Sequence, residues 1–395
     1  MSTGLFYVGW WQTCLIILTY THITIIAVTL YLHRSQAHKA IEISPVLSHF
    51  FRFWLWLTTG MNTKEWVSIH RKHHAMVDRT GDPHSPAVFG VKKVLWEGAE
   101  LYRAGLTYPD TLLQYGFGSP DDWAEKNIYS AYRSAGVVVM FGINFVLFGF
   151  KGITITAIQM LWIPFFAAGV VNGLGHNSGY RNFETPDNST NLFPIGALIG
   201  GEELHNNHHA FSNSAKFSHR SWEFDLGWHY IRVLKLIGLV KVKNVYNSDL
   251  VANQHKLVLD DETVRAVVSN RLIIMADYGR LVLLKVYQEE CRNLSGGALK
   301  KLKHVRAILL KDGKRLTNHE KSTLDFCLRS YAKLGTVYHF RERLSNLYES
   351  RNSESRTITP LLIEWCDSAE QTEISVLKDF AATLRSYGRS IGQIF

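Results

Sequence analysis

With 395 residues the chain has room for two domains of ordinary size, or for a membrane body with an appendage. Its 46% hydrophobic content is a globular average that hides a concentration of apolar residues before position 240. Lys and Arg outnumber Asp and Glu by 43 to 34, and 25 of those positives against 18 acids follow Val240; because the two signs are interspersed, a nucleic-acid binder is disfavoured and a face held against anionic lipid is favoured.

The four cysteines, Cys14, Cys291, Cys327 and Cys366, lie far apart and form no CxxC, so neither a disulfide framework nor a thiolate cluster is expected. The N-terminus has no basic region and no small-residue cleavage site, so its apolar run is expected to be retained. That run, Val8–Leu32, begins with the belt residues Trp10 and Trp11 and exceeds the roughly 20 residues a crossing needs. Pro45–Met61 is apolar and aromatic but carries His49 and Arg52. Ser134–Phe150 and Gly152–Val171 read as a hairpin joined at Lys151. Beyond Val240 no run approaches spanning length. Helical spacing recurs at Val264-Val267-Val268-Leu272 and Leu299-Leu302-Val305-Leu309, with breaks at Ser295-Gly296-Gly297, Asp312-Gly313 and Thr359-Pro360. The expected fold is an all-α integral membrane protein. It has about three transmembrane helices plus one interfacial or re-entrant helix, capped by a helical cytosolic domain. Residues 1–240 form the membrane domain and residues 241–395 a basic, mostly helical cytosolic tail.

Eighteen histidines are present, and their spacing is informative. His33 and His38 follow the first span; His70, His73 and His74 follow the aromatic stretch. Asn172 and His176 close the third span, and His205, His208 and His209 come one loop later. Positions i, i+3 and i+4 share a helix face, so each HxxHH offers three imidazoles to one side. His33 and His38 would sit about 140° apart on a regular helix and converge better if the helix ends or distorts there. Nine imidazoles exceed what one zinc takes but suit two metals with four or five nitrogens each. Asn172 is a poor direct ligand and is expected to act through water. His22 is read as a polar helix-packing contact, and His49, His219 and His229 as interfacial or surface residues. His84, in Asp82-Pro83-His84, either supports a ligand from behind or makes a structural turn. All clusters must share one side, so Pro45–Met61 cannot cross once and is placed in the interface, with the N-terminus outside.

The order HxxxxH, HxxHH, Asn-x3-His, HxxHH, over about residues 10–240, resembles the membrane fatty-acyl desaturases of the stearoyl-CoA Δ9 class. Glu65-Trp66, Asp82-Pro83-His84 and Gly201-Glu202 flank the boxes as in that family. Gly173-Leu174-Gly175-His176, Thr190-Asn191 and Trp222-Glu223-Phe224-Asp225 resemble most the bacterial Δ9 desaturases acting on membrane lipids. The resemblance implies that His33, His38, His70, His73, His74, His176, His205, His208 and His209 bind two Fe2+ ions, with Asn172 acting through water and zinc as a replacement in purified protein. It implies O2-dependent insertion of a cis double bond, at Δ9, into a saturated acyl chain. A separate ferredoxin-type or cytochrome donor, with its reductase, supplies electrons at the cytoplasmic face of the cell inner membrane. Trp66, Trp162 and Phe165 are candidates to line a substrate tunnel. Ser68 and Ile69 stand where animal enzymes have a basic-acidic pair that helps hold CoA, which favours phospholipid over CoA as carrier. The chain also has one crossing before its first box where animal enzymes have a further span.

Two rivals are a histidine-box hydroxylase of lipids or alkanes and a metal-binding or metal-transporting membrane protein. Packing, reductant docking, oligomerisation and scaffolding are open roles for the tail. From Phe340-Arg341-Glu342-Arg343 onward it resembles a helical tail of some transposases, with no function attached.

Overall fold

The computed structural model describes residues 4–246, 250–252, 259–349 and 355–389. The chain divides into two compact units, Met1–Tyr246 and Asn247–Phe395.

In the first unit, helix α1 (Trp10–Ala37) is apolar over its 28 residues and long enough to cross a membrane. It is α-helical to Ile26 and π-type over Ala27–Ala37, running past Leu32 so that His33 sits inside the helix. Strand β1 (Ile41–Ile43) and helix α2 (Pro45–Thr59) follow. Proline suits the first turn of α2, where its missing N–H has no intrahelical partner, and Gly60 at φ 65 ends the helix. Phe51, Leu55 and Trp56 of α2 are buried, whereas Val46, Phe50 and Phe53 are exposed. One face of α2 thus packs inward and the other is left apolar and uncovered. Helix α3 (Thr63–Met76) is capped by Asn62, whose side chain accepts from the Glu65 N–H. Four short helices come next: α4 (Pro86–Phe89), α5 (Val91–Trp96), α6 (Gly98–Leu106) and α7 (Pro109–Tyr115).

The expected hairpin is formed by α8 (Arg133–Phe148) and α9 (Phe150–Leu174), but the turn is at Gly149, not at Lys151. Gly149 has φ 61 and ψ −136, a conformation that essentially only glycine adopts, so the chain reverses there. Lys151 lies within α9 and reaches back to donate to the Val8 carbonyl, with its ammonium 5.0 Å from the Trp10 ring. The hairpin closes tightly because a Cβ on Gly152 would fall 2.0 Å from the Asn144 carbonyl oxygen, and Asn144 donates to Thr156 at 2.9 Å. α9, at 25 residues, is the second helix of spanning length among the described residues. α8 has 16, short of the roughly 20 a crossing needs on its own.

The remaining elements tie the end of α1 to the later chain. Strand β2 (Ile195–Gly196) pairs in parallel with β3 (Phe224–Asp225). Between them lies the short helix α10 (His205–Ala210). Helix α11 (Leu226–Leu236) leads to β4 (Val240–Val242), which pairs antiparallel with β1 in the register Ile41↔Val242, Glu42↔Lys241, Ile43↔Val240. Arg34, fully buried, donates to Asp225 at 2.9 Å and lies with its guanidinium carbon 3.9 Å from the Phe217 ring centre. Asp225 also caps α11 through the Trp228 N–H and accepts the Phe217 N–H.

The second unit is helical, with one antiparallel strand pair, Leu250–Ala252 with Tyr387–Arg389. Its core gathers Tyr278, Phe340, Trp365 and Phe380, with the Trp365 indole donating to the Phe340 carbonyl and the Tyr278 hydroxyl to the Val337 carbonyl.

Replacing Arg34 with Ala leaves Asp225 buried and unpaired, so a loss of about 3–5 kcal/mol is expected, read as a fall in thermal stability of the detergent-solubilised chain. A change below about 1 kcal/mol would refute this role. Trp365→Ala is expected to destabilise the second unit by about 3–5 kcal/mol, measured as a lower denaturant midpoint for protease protection of that unit.

Candidate metal centre

Two irregular helix ends deliver the first ligand candidates. In a π-type segment hydrogen bonds run from i to i+5, so residues five apart come to the same side. The His38 N–H accordingly donates to the His33 carbonyl at 3.1 Å, and the two rings lie 4.9 Å apart at their centres. Pro164, which has no N–H to give the preceding turn, opens the second π-type stretch, Pro164–Leu174, just before His176. Regular α-helical spacing on α3 supplies His70, His73 and His74.

α10 has only six residues and is fixed by the two asparagines between its histidines. Asn206 accepts the N–H groups of Asn182 and Phe183 and donates to the Phe183 carbonyl. Asn207 accepts from the amides of Asn182 and Asn191 and donates to Glu223 and the Phe217 carbonyl. The backbone that presents His205, His208 and His209 is thereby held by side chains.

The nine imidazoles separate into two groups: His33, His38, His70, His74 and His208, and His73, His176, His205 and His209. The groups adjoin, with the His74 and His209 rings stacked 4.5 Å apart. Within them nitrogens face one another closely. The Nε2 atoms of His33 and His208, of His74 and His208, and of His176 and His205 are each 3.0 Å apart, and those of His38 and His70 are 2.8 Å apart.

Carboxylates grip the outer nitrogens. Nδ1 of His33 meets Glu202 at 2.8 Å, Nδ1 of His73 meets Asp82 at 2.9 Å, Nδ1 of His176 meets Asp78 at 3.2 Å, and Nδ1 of His209 meets Asp187 at 3.3 Å. Burial alone would raise these acids. The imidazole beside each, with further hydrogen bonds, holds Asp78, Asp82, Asp187 and Glu202 below the usual carboxylate range. An ionised carboxylate only accepts, so each of these four rings keeps a proton on Nδ1. Burial, and then repulsion from neighbouring imidazoles, holds His38, His70, His74, His205 and His208 well below the ordinary imidazole range; these rings are neutral at pH 7. Burial pushes His209 down to about 4 despite the opposing pull of Asp187.

The residues fit metal ions. Nε2 of His73 and Nε2 of His209 are buried with no protein partner, while Asp82 and Asp187 engage the Nδ1 atoms of the same rings. His208 has at most one Nε2 proton, yet its Nε2 faces two other Nε2 atoms at 3.0 Å. One proton cannot serve both contacts, and a cation among the three nitrogens would satisfy them all. Nitrogens about 2.1 Å from one ion and at right angles around it are about 3.0 Å apart, which matches the spacing found. A set of five imidazoles also exceeds the four ligands of a structural zinc.

The other sequence candidates fall into place unevenly. Trp66 stacks on His70 (4.9 Å, 12°) and lies edge-on to His33 at 5.9 Å. Trp162 and Phe165 instead pack on Phe166, and Phe165 also on Trp96. Asn172 is half-buried, one turn before His176 and outside both groups. The His84 ring lies 4.5 Å from that of His73, tilted by 31°, and its backbone N–H is held by Asp82. His22 meets the Tyr230 hydroxyl at 2.6 Å. His219, expected at the surface, is instead enclosed by Phe183 and Phe211, and burial pushes it down to about 4.

Sequence reasoning missed Asp78 and Asp187 altogether, and took Asp82 and Glu202 only as flanking words. A lone acid in a loop carries no spacing pattern. Asp78 is marked only by its positive φ of 57, which is uncommon outside glycine.

Comparison with known proteins agrees with the geometry. The chain is 32% identical to an acyl-CoA 5-desaturase of Anemone leveillei, over 53% of this chain and 65% of that enzyme. It is 28% identical to Delta-9 acyl-lipid desaturase 1 of Arabidopsis thaliana, over 54% and 69%, and 30% identical to a hex-5-enoyl-[acyl-carrier protein] acetylenase of Moorena producens, over 55% and 72%. The chain thus spans about two thirds of the length of these curated relatives. Residues 276–395 match a family model described as a transposase. Residues 9–232, more than half of the chain and the stretch that holds all nine histidines, match the model described as fatty acid desaturase, and the chain belongs to that family.

Proposed function

We propose that the chain is an O2-dependent fatty-acyl desaturase that introduces a cis double bond at Δ9 into a saturated acyl chain, carried on phospholipid in preference to CoA. The observation that carries this reading is the pair of imidazole groups with converging Nε2 atoms in a chain of this family. His33, His38, His70, His74 and His208 would hold one iron, and His73, His176, His205 and His209 the other, with Asn172 acting through water. When bound, the irons supply the O2 activation that unactivated C–H bonds require. One hydrogen leaves each of two adjacent CH2 groups, and O2 becomes two waters. Of the four electrons needed, two come from the substrate and two, with two protons, from outside. A separate ferredoxin-type or cytochrome donor, with its reductase, supplies the external pair.

The chain's own residues bind and orient. Glu202, Asp82, Asp78 and Asp187 fix ring orientation and tautomer. Trp66, flat against His70, is placed to shield the five-histidine group and to border the acyl chain. One turn away on α3, a cavity of about 340 Å³ is lined by Lys64, Glu65, Glu125, Lys126 and Arg133. Its mixed charges suit a headgroup bearing both signs. Ser68 and Ile69 are buried, Ser68 donating to the Lys64 carbonyl, so neither can hold a CoA headgroup. α1 and α9 supply two membrane crossings and α8 a third, with α2 in the interface and the metal groups on the cytoplasmic face of the inner membrane. Residues 241–395 are proposed as a cytosolic appendage.

Expression in a host lacking the activity is expected to give cis-Δ9 acyl chains, located by mass spectrometry of membrane lipids. An alcohol in place of the alkene would identify the hydroxylase, and label passing from acyl-CoA without entering phospholipid would overturn the lipid carrier. His208→Ala is expected to bring product below detection and iron below two per chain with membrane insertion unchanged; retained activity refutes its assignment as a ligand. Asp187→Asn, which leaves the His209 imidazole in place, is expected to lower iron affinity or turnover by ~10–100-fold, scored by metal content and rate.

A further inference from the structure

The external electrons must enter somewhere, and the surface above the five-histidine group has a marked charge bias. His38, His70 and His74 are half-buried residues, whereas His33 and His208 are buried. The residues immediately after His38 and His70 are Lys39 and Arg71. Arg71 donates to the carbonyls of Gln36, Ala37, Tyr115 and Phe117, and its guanidinium carbon lies 4.6 Å from the centre of the Phe117 ring, which is 69% exposed. Lys39 donates to the Gly118 carbonyl at 3.1 Å, which places it beside that same loop. It holds a backbone φ of 55, a bend glycine would take without steric strain, so the lysine side chain is not there for the turn. Burial, and then the positive charges of Arg71 and Lys243, push the Lys39 ammonium down.

The β1–β4 ribbon continues the face. Lys241 and Lys243 are both exposed on β4 or its end, and the Lys243 N–H is bonded to the Ala40 carbonyl, one residue from Lys39. Glu42, paired with Lys243 at 3.3 Å, offsets one charge. Three net positives and an exposed aromatic thus lie beside the backbone positions that carry His38 and His70.

We infer that Lys39, Arg71, Phe117, Lys241 and Lys243 form the docking surface for a small acidic one-electron carrier protein that reduces the metal centre. This rests on the desaturase reading above, because only an O2-consuming site needs electrons from outside. Charge complementarity at a rim sets encounter rate and salt dependence more than total affinity, and the exposed ring stacked under a guanidinium offers an apolar anchor at the middle. Each donor visit carries one electron, so a weak, salt-sensitive interface that releases its partner quickly suits two visits per turnover.

The test uses the full chain in nanodiscs and an acidic plant-type [2Fe–2S] ferredoxin as probe. Binding to the native chain is expected to weaken steeply between low and high ionic strength. In the combined variant Lys39→Gln, Lys241→Glu, Lys243→Glu the dissociation constant is expected to rise at least tenfold and the salt dependence to flatten. Lys92→Glu on α5, the same kind of charge change, is expected to leave both as they were. Unchanged binding in the combined variant, or equal loss in Lys92→Glu, overturns the proposal. So does a salt dependence that vanishes when anionic lipid is left out of the disc, since the lysines would then be seating lipid. Binding is read without turnover: intact docking with no double bond formed would fault the reaction and leave the surface standing.

Discussion

The geometry of the first unit depends on one constraint: imidazole nitrogens 3 Å apart cannot both carry a proton on their facing side. Neutral rings satisfy this only if something fixes which nitrogen carries the proton. Glu202, Asp82, Asp78 and Asp187 do so for four rings, one each at His33, His73, His176 and His209. Every one of these acids sits away from its histidine in sequence. Closing the centre therefore requires the long-range fold, and the fold cannot be altered locally without releasing a proton choice. Asp78 shows the coupling most directly: it accepts from His176, from the Asn188 N–H and from Ser85, joining the end of α3 to the loop after α9.

The same constraint accounts for the irregular helices. A regular α-helix would turn His33 and His38 apart, so the last eleven residues of α1 are wound to the wider pattern that returns residue i+5 to the same side. Such turns are weaker locally and are retained where surrounding packing compensates. Here the segment is almost fully buried, with Leu30, Tyr31 and Leu32 in the core and Arg34 clamped to Asp225. That ion pair places the start of α11 at the end of α1, and the β1–β4 ribbon closes the loop from the other side.

Much of this was legible in the sequence, for physical reasons that differ by element. The HxxHH triplets and the apolar lengths of α1 and α9 are local periodicities, and periodicity survives in any context that preserves the helix. The convergence of His33 and His38 could be stated as a need for distortion but not as a π-type helix, because no residue in Ala27–Ala37 dictates one. The hairpin turn was misplaced because a charged residue in an apolar run reads as a loop. A long side chain in fact lets Lys151 remain helical and still reach the Val8 carbonyl, while Gly149 takes the reversal. His219 was assigned to the surface because a lone histidine between polar residues carries no burial signal; its enclosure is set by Phe183 and Phe211, eight or more residues away. The tunnel candidates lie in different surroundings: Trp66 shares a helix with His70 and is carried to the imidazole groups, and Trp162 and Phe165 pack with Phe166.

The two family matches meet in a gap between residue 232 and residue 276, and the compact units divide at Tyr246. The position of that division has a chemical consequence. Every residue that orients a ring of the centre, from Asp78 to Glu202, and both partners of the Arg34–Asp225 pair precede it. So does β4, whose pairing with β1 holds the turn after His38, and so does Asn244, whose carbonyl accepts the Ala215 N–H beyond α10. The first unit thus contains the hydrogen bonds that its own metal-binding geometry needs. The second unit has a separate core around Trp365 and Tyr278, and among the described residues it adds no group to the imidazole sets. Joining such a unit after β4 is tolerable because the ribbon is already closed when the chain leaves it, and among the described residues both imidazole groups are drawn from positions before Tyr246.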